Sequence, residues 1–232
     1  MEEERKLILD TETTGLNFED DKIIEIGIVE LRDNILTQNY FHEYINPDRD
    51  ISLSAQRVHG ITNDFLKDKP KFSSIAQRFL DFVKDDVIII HNAEFDKNFI
   101  NKELQECGLN NISNSLIDTI SIAKREFPGQ TVNLDSLCKK LDVTNSRQKY
   151  HGALLDATLL SKIYLRLTTG KQEDLDLMSV KLDDLSGDDY GLKYKDNFLI
   201  PRNQLMILSE EEKNKHKEFL AGMNDSIWKK LI

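Results

Sequence analysis

A chain of 232 residues provides one medium-sized domain with an appendage, or two small domains. Its hydrophobic fraction of 39% is sufficient for an ordinary core, and no apolar run approaches the ~20 residues that cross a bilayer. The formal net charge of −10 argues against a strong, general grip on nucleic-acid phosphates, so any such contact should be local, brief and assisted by metal ions.

The first predicted element is a strand over residues 6–9 that runs into two acids, Asp10 and Glu12. Side chains alternate along a strand, so both carboxylates should leave the same face at the end of this strand. Paired carboxylates raise each other's pKa unless a cation lies between them, and such oxygen ligands suit Mg²⁺ or Mn²⁺. A strand that ends in a polar turn explains the same residues without a metal, and this stretch alone does not decide.

The rest of the first 170 residues alternates between strands and helices. Short apolar or alternating runs predict strands, whereas helical spacing bounded by Ser, Thr or Gly predicts helices. Strands followed by alternating strands and helices predict an α/β fold with a mixed sheet flanked by helices. The predicted strands cover 23–31, 40–45, 87–90 and a short run from 116. The predicted helices cover a short stretch from 52 that stops at 60, a restart after 62, 72–83, a helix with Asp96 in its first turn that continues to about 107, a stretch ending before 128, 134–141 and 151–167.

Acidic side chains recur where these elements begin. Asp96 lies in the first turn of the helix after the apolar strand, and Asp156 lies near the start of the last long helix. Such positions converge at one edge of a sheet, which would bring them to Asp10 and Glu12. Each acid has an ordinary alternative, because a carboxylate in a first turn interacts favourably with the helix dipole. His151 precedes Asp156 by five residues, about 140° around a helix, so it must lean over the site from a loop.

Four sequence blocks occur in this order: Asp10-Thr-Glu12-Thr-Thr-Gly15-Leu16, His59-Gly60-Ile61-Thr62, His91-Asn92-Ala-Glu-Phe95-Asp96 and His151-Gly-Ala-Leu-Leu-Asp156. Together they resemble the DEDDh exonucleases, and their spelling is closest to the proofreading subunits of bacterial replicative DNA polymerases. The resemblance covers about residues 5–168 and implies a ribonuclease H-like fold. It implies removal of nucleoside 5′-monophosphates from DNA 3′ ends, with an RNA-trimming exonuclease or a non-catalytic polymerase scaffold as alternatives.

The same resemblance assigns roles to individual positions. Four acids would hold two divalent metal ions, Mg²⁺ or Mn²⁺, and one histidine would be the general base. A further set would lie near the terminal nucleotide, although its apolar members are equally compatible with a place in the core. The ligands would be Asp10, Glu12, Asp96 and Asp156, the base His151, and the nucleotide-side residues Thr13, Leu16, Val58, His59, Asn92 and Phe95.

The composition changes after the predicted exonuclease domain, which we place at residues 1–170. Residues 171–208 are rich in acids and are predicted to form a solvated linker. Residues 209–232 open with a capping box, Ser209 followed by Glu212, and are predicted to form a C-terminal helix.

Two features of this tail suggest partners. Gln172, Leu175 and Leu177 resemble the short peptide by which replication proteins dock to the sliding clamp, although an acidic linker also produces such a pattern by chance. The terminal segment with Trp228 would bind the polymerase catalytic subunit, or would fold back on the core as an ordinary helix. Attachment to these partners through the tail would raise the effective concentration of the exonuclease domain at a primer end without new DNA contacts.

The cysteines and the first residues indicate the compartment. Cys107 and Cys138 are the only cysteines, and neither belongs to a metal-ligand pair. The first residues are acidic and lack the apolar stretch of a signal peptide. These observations predict a reduced, cytosolic protein without membrane attachment.

Overall fold

The computed structural model describes residues 4–145 and 150–169, and the structural statements below refer to these residues. The predicted linker and C-terminal helix, with Gln172, Leu175, Leu177 and Trp228, lie outside the described residues. Within the described ranges, no helix is both long and apolar enough to span a membrane.

The described part of the chain forms five strands and seven helices. The strands are β1 (Arg5–Thr13), β2 (Ile23–Arg32), β3 (Ile35–Tyr44), β4 (Val87–Ile90) and β5 (Leu116–Asp118). The helices are α1 (Leu53–His59), α2 (Asn63–Leu66), α3 (Phe72–Val83), α4 (Ala93–Glu106), α5 (Thr119–Glu126), α6 (Leu134–Lys140) and α7 (Ala153–Thr169).

The strands form one mixed sheet in the order β3-β2-β1-β4-β5. β1, β2 and β3 pair antiparallel, whereas β4 pairs parallel with both β1 and β5. Helices cover both faces, so the predicted α/β, ribonuclease H-like mixed sheet is confirmed for the described residues. The parallel half places the carboxyl ends of β1 and β4 side by side, where the first helical turns can meet them.

β1 extends further than its apolar residues predict. It continues through Thr13, with a bulge between Glu12 and Thr13, because pairing with β2 continues past the apolar run. Asp10 and Glu12 therefore lie inside the strand rather than at its end. Pairing on the β2 side fixes their backbone, which a loose turn would not do.

β3 begins at Ile35, earlier than the predicted start at residue 40. Asp33 and Asn34 both adopt positive φ, 49° and 64°, and form the tight hairpin turn between β2 and β3. Asp and Asn are the non-glycine residues that best tolerate this conformation, and a two-residue turn of this kind matches strand twist. The turn signal was present in the sequence, but the polar residues after it concealed the strand.

The two faces of β1 belong to different layers. Leu7 packs into the core cluster formed with α3 and α4, and Ile8 packs into the cluster formed with α7. Because side chains alternate, Asp10 and Glu12 share the face of Ile8 and point toward α7, whereas Thr11 points toward α4. The strand therefore presents polar groups to helices on both sides.

α7 approaches the sheet closely at Gly27 of β2. A Cβ atom at this position would lie 2.2 Å from the Leu154 nitrogen and 2.3 Å from the Ala153 carbonyl carbon. Gly27 is also the cross-strand partner of Asp10. The first turn of α7 therefore rests directly on β2, beside the acids of β1, and only glycine leaves room for it.

A buried ion network ties the far end of β2 to its neighbours. Glu30, 2% exposed, accepts hydrogen bonds from Arg5 and Arg32, from the hydroxyl of Thr37 and from the amide of Asn39. Burial alone would raise the pKa of Glu30, but these donors outweigh it and lower the pKa to about 2. The ionised carboxylate is therefore a stabilising group of the folded state.

We expect Glu30→Gln to lower the free energy of unfolding, and to do so most at neutral pH. The folded pKa lies below the ordinary value of 4.5, so the contribution of the carboxylate is present above that value and is lost as the pH falls toward 2. The contribution of the ionised Glu30 carboxylate to the free energy of unfolding is on the order of 3 kcal/mol. Urea unfolding near pH 7 and near pH 3 measures it: the gap between wild type and variant should narrow in acid, and a constant gap would contradict the assignment.

Candidate active site

Three of the predicted site residues come together at the start of α7. Glu12, His151 and Asp156 each offer one ligand atom, and these atoms lie within 4.8 Å of one another. Glu12 is 9% exposed and Asp156 is 4% exposed. Two buried carboxylates and an imidazole at this separation can bind a divalent cation, which would offset their mutual repulsion.

His151 lies before α7, as the helical geometry predicted. Its backbone N–H donates to the carbonyl oxygen of Val58 at 3.1 Å, which fastens the loop to α1. Its Nδ1 lies 3.1 Å from Oδ2 of Asp156, and its side chain is 40% exposed. When Nδ1–H donates to the carboxylate, Nε2 keeps its lone pair and can accept a proton from solvent or substrate.

Asp10 and Asp96 flank this group without belonging to it. Asp10 shares the α7-facing side of β1 with Glu12 and is partly exposed. Asp96, in the first turn of α4, is 3% exposed and accepts a hydrogen bond from the hydroxyl of Thr11 at 2.7 Å. Thr11 lies between Asp10 and Glu12 in the sequence, so Asp96 reaches the same strand from the opposite face.

Burial raises the pKa of Asp96 to about 7, even though the hydroxyl of Thr11 and backbone groups favour the ionised form. A cation beside this carboxylate would favour the ionised form and lower its pKa. A pKa raised by burial is frequent among acids at functional sites, although buried acids with a purely structural role also show it.

The turn before α4 explains how Asp96 is placed. Asn92 adopts the left-handed conformation, with φ of 79°, and its N–H donates to Oδ1 of Asp118 at 3.1 Å. This sharp connection lets α4 start directly after β4, which pairs parallel with β1. Asn92, predicted to lie near the nucleotide, therefore has a clear conformational role in the structure.

The apolar members of the predicted nucleotide-side set separate into two groups. Leu16 is 86% exposed and Val58 is 47% exposed, so neither is a core residue and both are available for contact. Phe95 is partly buried against the core cluster, with its ring centroid 4.9 Å from that of Phe99. Phe95 therefore packs against the core, which is one of the two roles that the sequence left open for it.

Two polar members of that set, Thr13 and His59, are buried, whereas Asn92 is exposed. The hydroxyl of Thr13 donates to the carbonyl oxygen of Gly15 at 2.5 Å, which holds the loop after β1. His59 is 3% exposed, and its Nδ1 accepts from the N–H of Ile61 at 3.0 Å. Among the described residues its buried Nε2 has no hydrogen-bond partner.

The environment of His59 makes its Nε2 a donor. Burial lowers the pKa of His59, so the ring is neutral near pH 7. Since Nδ1 is the acceptor, the proton of the neutral ring resides on Nε2. The backbone of Thr13 also favours a proton on this ring, so part of the cost of burying the N–H is already offset, and a ligand acceptor would remove the rest.

Two residues of β2 border the site but were not among the site residues predicted from the sequence. Gly27 allows the contact of α7, and Glu25 is a buried acid, 2% exposed, directly opposite Glu12. The available signal was a glycine and an acid inside an otherwise apolar strand, since both residue types are disfavoured there.

Residues 7–164 match the RNase T family of exonucleases, and the chain belongs to this family. Two relatives are named DNA polymerase III subunit epsilon. The one from Rickettsia felis is 44% identical over 227 residues, covering 94% of this chain and 96% of the relative. The one from Buchnera aphidicola subsp. Acyrthosiphon pisum is 41% identical over 242 residues, covering 97% of each chain.

Solved structures agree with this membership. Exonuclease X in complex with 5′ overhanging duplex DNA is 26% identical, with a TM-score of 0.58 over 72% of this chain and 92% of that one. The nuclease domain of 3′hExo, a DEDDh family member bound to rAMP, shares the fold at 19% identity, with a TM-score of 0.63 over 72% and 93%. The protein is therefore a nuclease that acts as a 3′→5′ exonuclease, in a family that generally uses divalent metal ions.

Proposed function

We propose that the protein is the proofreading exonuclease of a bacterial replicative DNA polymerase. It would release nucleoside 5′-monophosphates from single-stranded or mispaired DNA 3′ ends. The observation that carries the proposal is the convergence of Glu12, His151 and Asp156 within 4.8 Å. That convergence occurs in a chain that matches a DNA polymerase III epsilon subunit over 94% of its length.

The metal cofactor would be two divalent ions, Mg²⁺ or Mn²⁺. The donor set fits them, because four carboxylates balance two such ions and hard oxygen ligands suit both. Asp96 supports this assignment, because burial raises its pKa and a bound cation would stabilise its ionised form. When bound, two such ions would offset the charge that builds on the phosphate and lower the pKa of a bound water. The ligands would be Asp10, Glu12, Asp96 and Asp156.

Side chains of the protein would then accept the proton of the attacking water and bind the terminal nucleotide. Asp156 holds Nδ1 of His151, so Nε2 is oriented to take a proton from the attacking water. The Nε2–H of His59 would donate to an acceptor of the terminal nucleotide, and the exposed side chains of Leu16 and Val58 would contact it. Thr13, Asn92 and Phe95 would support these contacts from the surrounding turns.

Selectivity for errors would arise mainly from the DNA. A mispaired terminus unpairs at a lower cost than a matched one, so it enters a single-strand cleft more often. The acidic net charge of −10 is compatible with this, since a melted end requires only local contacts. Affinity for the primer would come from association with other proteins.

Those partners would be the polymerase catalytic subunit and the sliding clamp, in the cytoplasm. The tail after residue 170 would supply the contacts, through Gln172, Leu175 and Leu177 for the clamp and the segment of Trp228 for the polymerase. Tethering of this kind raises local concentration at the primer end.

The proposal is tested by the products and substrates of the purified full chain. We expect release of 5′-mononucleotides from single-stranded and 3′-mispaired DNA, dependent on Mg²⁺ or Mn²⁺ and abolished by chelation. Matched-end duplexes and RNA oligonucleotides should be degraded more slowly. An Asp10→Ala protein, prepared identically, controls for contaminating nucleases, and full activity in it would refute the site. Faster degradation of RNA than of DNA would favour the RNA-trimming alternative.

A further inference from the structure

A fifth carboxylate lies beside the predicted metal ligands. Glu25 of β2 is 2% exposed and is the cross-strand partner of Glu12. Residues directly opposite in an antiparallel pair project from the same face, so both carboxylates face α7. Burying one acid next to another is unfavourable, and the four-acid ligand set does not require this one.

Glu25 is held in place from the neighbouring strand. The Nε2 of His42 on β3 lies 2.8 Å from Oε1 of Glu25, and their side chains are 10% and 3% exposed. Since a carboxylate only accepts, Nε2–H of His42 is the donor. A buried charge-assisted hydrogen bond of this kind fixes the carboxylate in one position.

The held carboxylate faces the start of α7. Both of its oxygens lie 3.9 Å from the point where a Cβ of Gly152 would stand. The carbonyl oxygen of Gly152 accepts from the N–H of Asp156 at 2.8 Å, so Gly152 is the residue at which the helix begins. The N-terminus of a helix carries partial positive charge, which a carboxylate attracts.

We propose that Glu25, held by His42, is a positioning residue that seats the start of α7 so that His151 and Asp156 stand over Glu12. This inference rests on the proposed hydrolytic function of the site. His151 directly precedes Gly152, and Asp156 lies in the first turn, so a shift of this turn moves the base and a metal ligand together. Gly27 leaves the space for the turn, and Glu25 supplies the attraction that keeps it there.

The test uses the full chain with a single-stranded DNA oligonucleotide and with Mn²⁺ alone. Glu25→Gln keeps the shape and removes the charge. Supporting groups around metal ligands typically contribute about 10–100-fold to metal affinity or activity. We therefore expect kcat to fall by about 10–100-fold with KM nearly unchanged, and the Mn²⁺ dissociation constant from calorimetry to rise.

Two substitutions of His42 test whether it acts through its hydrogen bond to Glu25. His42→Gln retains a side-chain donor toward Glu25 and should recover much of the wild-type kcat, whereas His42→Leu should resemble Glu25→Gln. The double variant Glu25→Gln with His42→Leu should lose no more than the worse single variant, since His42 acts through Glu25. If the losses in kcat of the two single variants add up in the double variant, His42 does not act through Glu25. The two His42 variants also keep the test available if Glu25→Gln fails to fold.

Glu30→Gln is the matched control, because Glu30 is the same residue type on the same strand and is also 2% exposed. It lies five residues further along β2, about 16 Å at strand spacing. We expect it to lose stability while keeping kcat and Mn²⁺ affinity. Wild-type kcat and Mn²⁺ affinity in Glu25→Gln, or an equal loss in Glu30→Gln, would overturn the inference. An inactive wild type would instead refute the proposed function.

Discussion

Replacing Asp156 by asparagine will lower kcat for nucleotide release by about 10³-fold or more. Asp156 serves the site twice, as a buried carboxylate within 4.8 Å of ligand atoms of Glu12 and His151, and as the hydrogen-bond partner of the His151 ring. The charge stabilisation that depends on such a ligand amounts to several kcal/mol, and each 1.36 kcal/mol is about a factor of ten in rate. Asparagine keeps the shape, so the fold should persist.

Single-turnover kinetics on single-stranded DNA and Mn²⁺ calorimetry measure this effect. The comparison variant is His151→Gln, which removes the proposed base and keeps every carboxylate. We expect His151→Gln to lose about 10²–10⁴-fold in kcat while retaining most of the Mn²⁺ affinity. Equal Mn²⁺ affinity in the two variants would contradict the assignment of Asp156 as a ligand, and wild-type kcat in Asp156→Asn would refute the site.

A single methyl group on Gly27 should be nearly as damaging. The Cβ of an alanine would lie 2.2 Å from the Leu154 nitrogen, and backbone atoms have no room to yield without moving α7. Displacing catalytic groups by about 1 Å can cost about 10²-fold in rate. We expect Gly27→Ala to lower kcat by about 10²-fold and to reduce the free energy of unfolding by about 1–3 kcal/mol.

Urea unfolding and kcat, measured on the same preparation, test this prediction. Gly108→Ala is the control: a Cβ there meets nothing within 4 Å, but its φ of +71° strains any other residue. That variant should lose stability without losing kcat. Retention of wild-type kcat by Gly27→Ala would mean that α7 can shift without disturbing the site.

Elements with a strong local signal were predictable from the sequence. The apolar spacing of residues 72–83 gave α3 with the bounds that the structure has, and the apolar run at 87–90 gave β4. The predicted stop at Gly60 and the predicted N-cap at Thr62 match the end of α1 and the start of α2. In each case the information lies within one element, where periodicity and capping act over a few residues.

What the sequence left undecided depends on contacts between distant elements. Burial distinguishes the exposed side chains of Leu16 and Val58 from the packed ring of Phe95, and burial is a property of the folded chain. The same holds for Gly27 and Glu25, whose roles exist only because α7 lies on β2. An apolar residue in a motif has no local feature that separates substrate contact from core packing.

Val58 occupies two roles through two different atoms. Its side chain is exposed and is the part that would contact the terminal nucleotide in the proposed function, and its carbonyl oxygen accepts the N–H of His151 at 3.1 Å. A nucleotide that pressed on this side chain would therefore also push on the loop that carries the base. If the nucleotide binds as proposed, its arrival would therefore shift the His151 ring through the single peptide group of Val58, and the ring would be oriented differently in an empty and in a filled cleft.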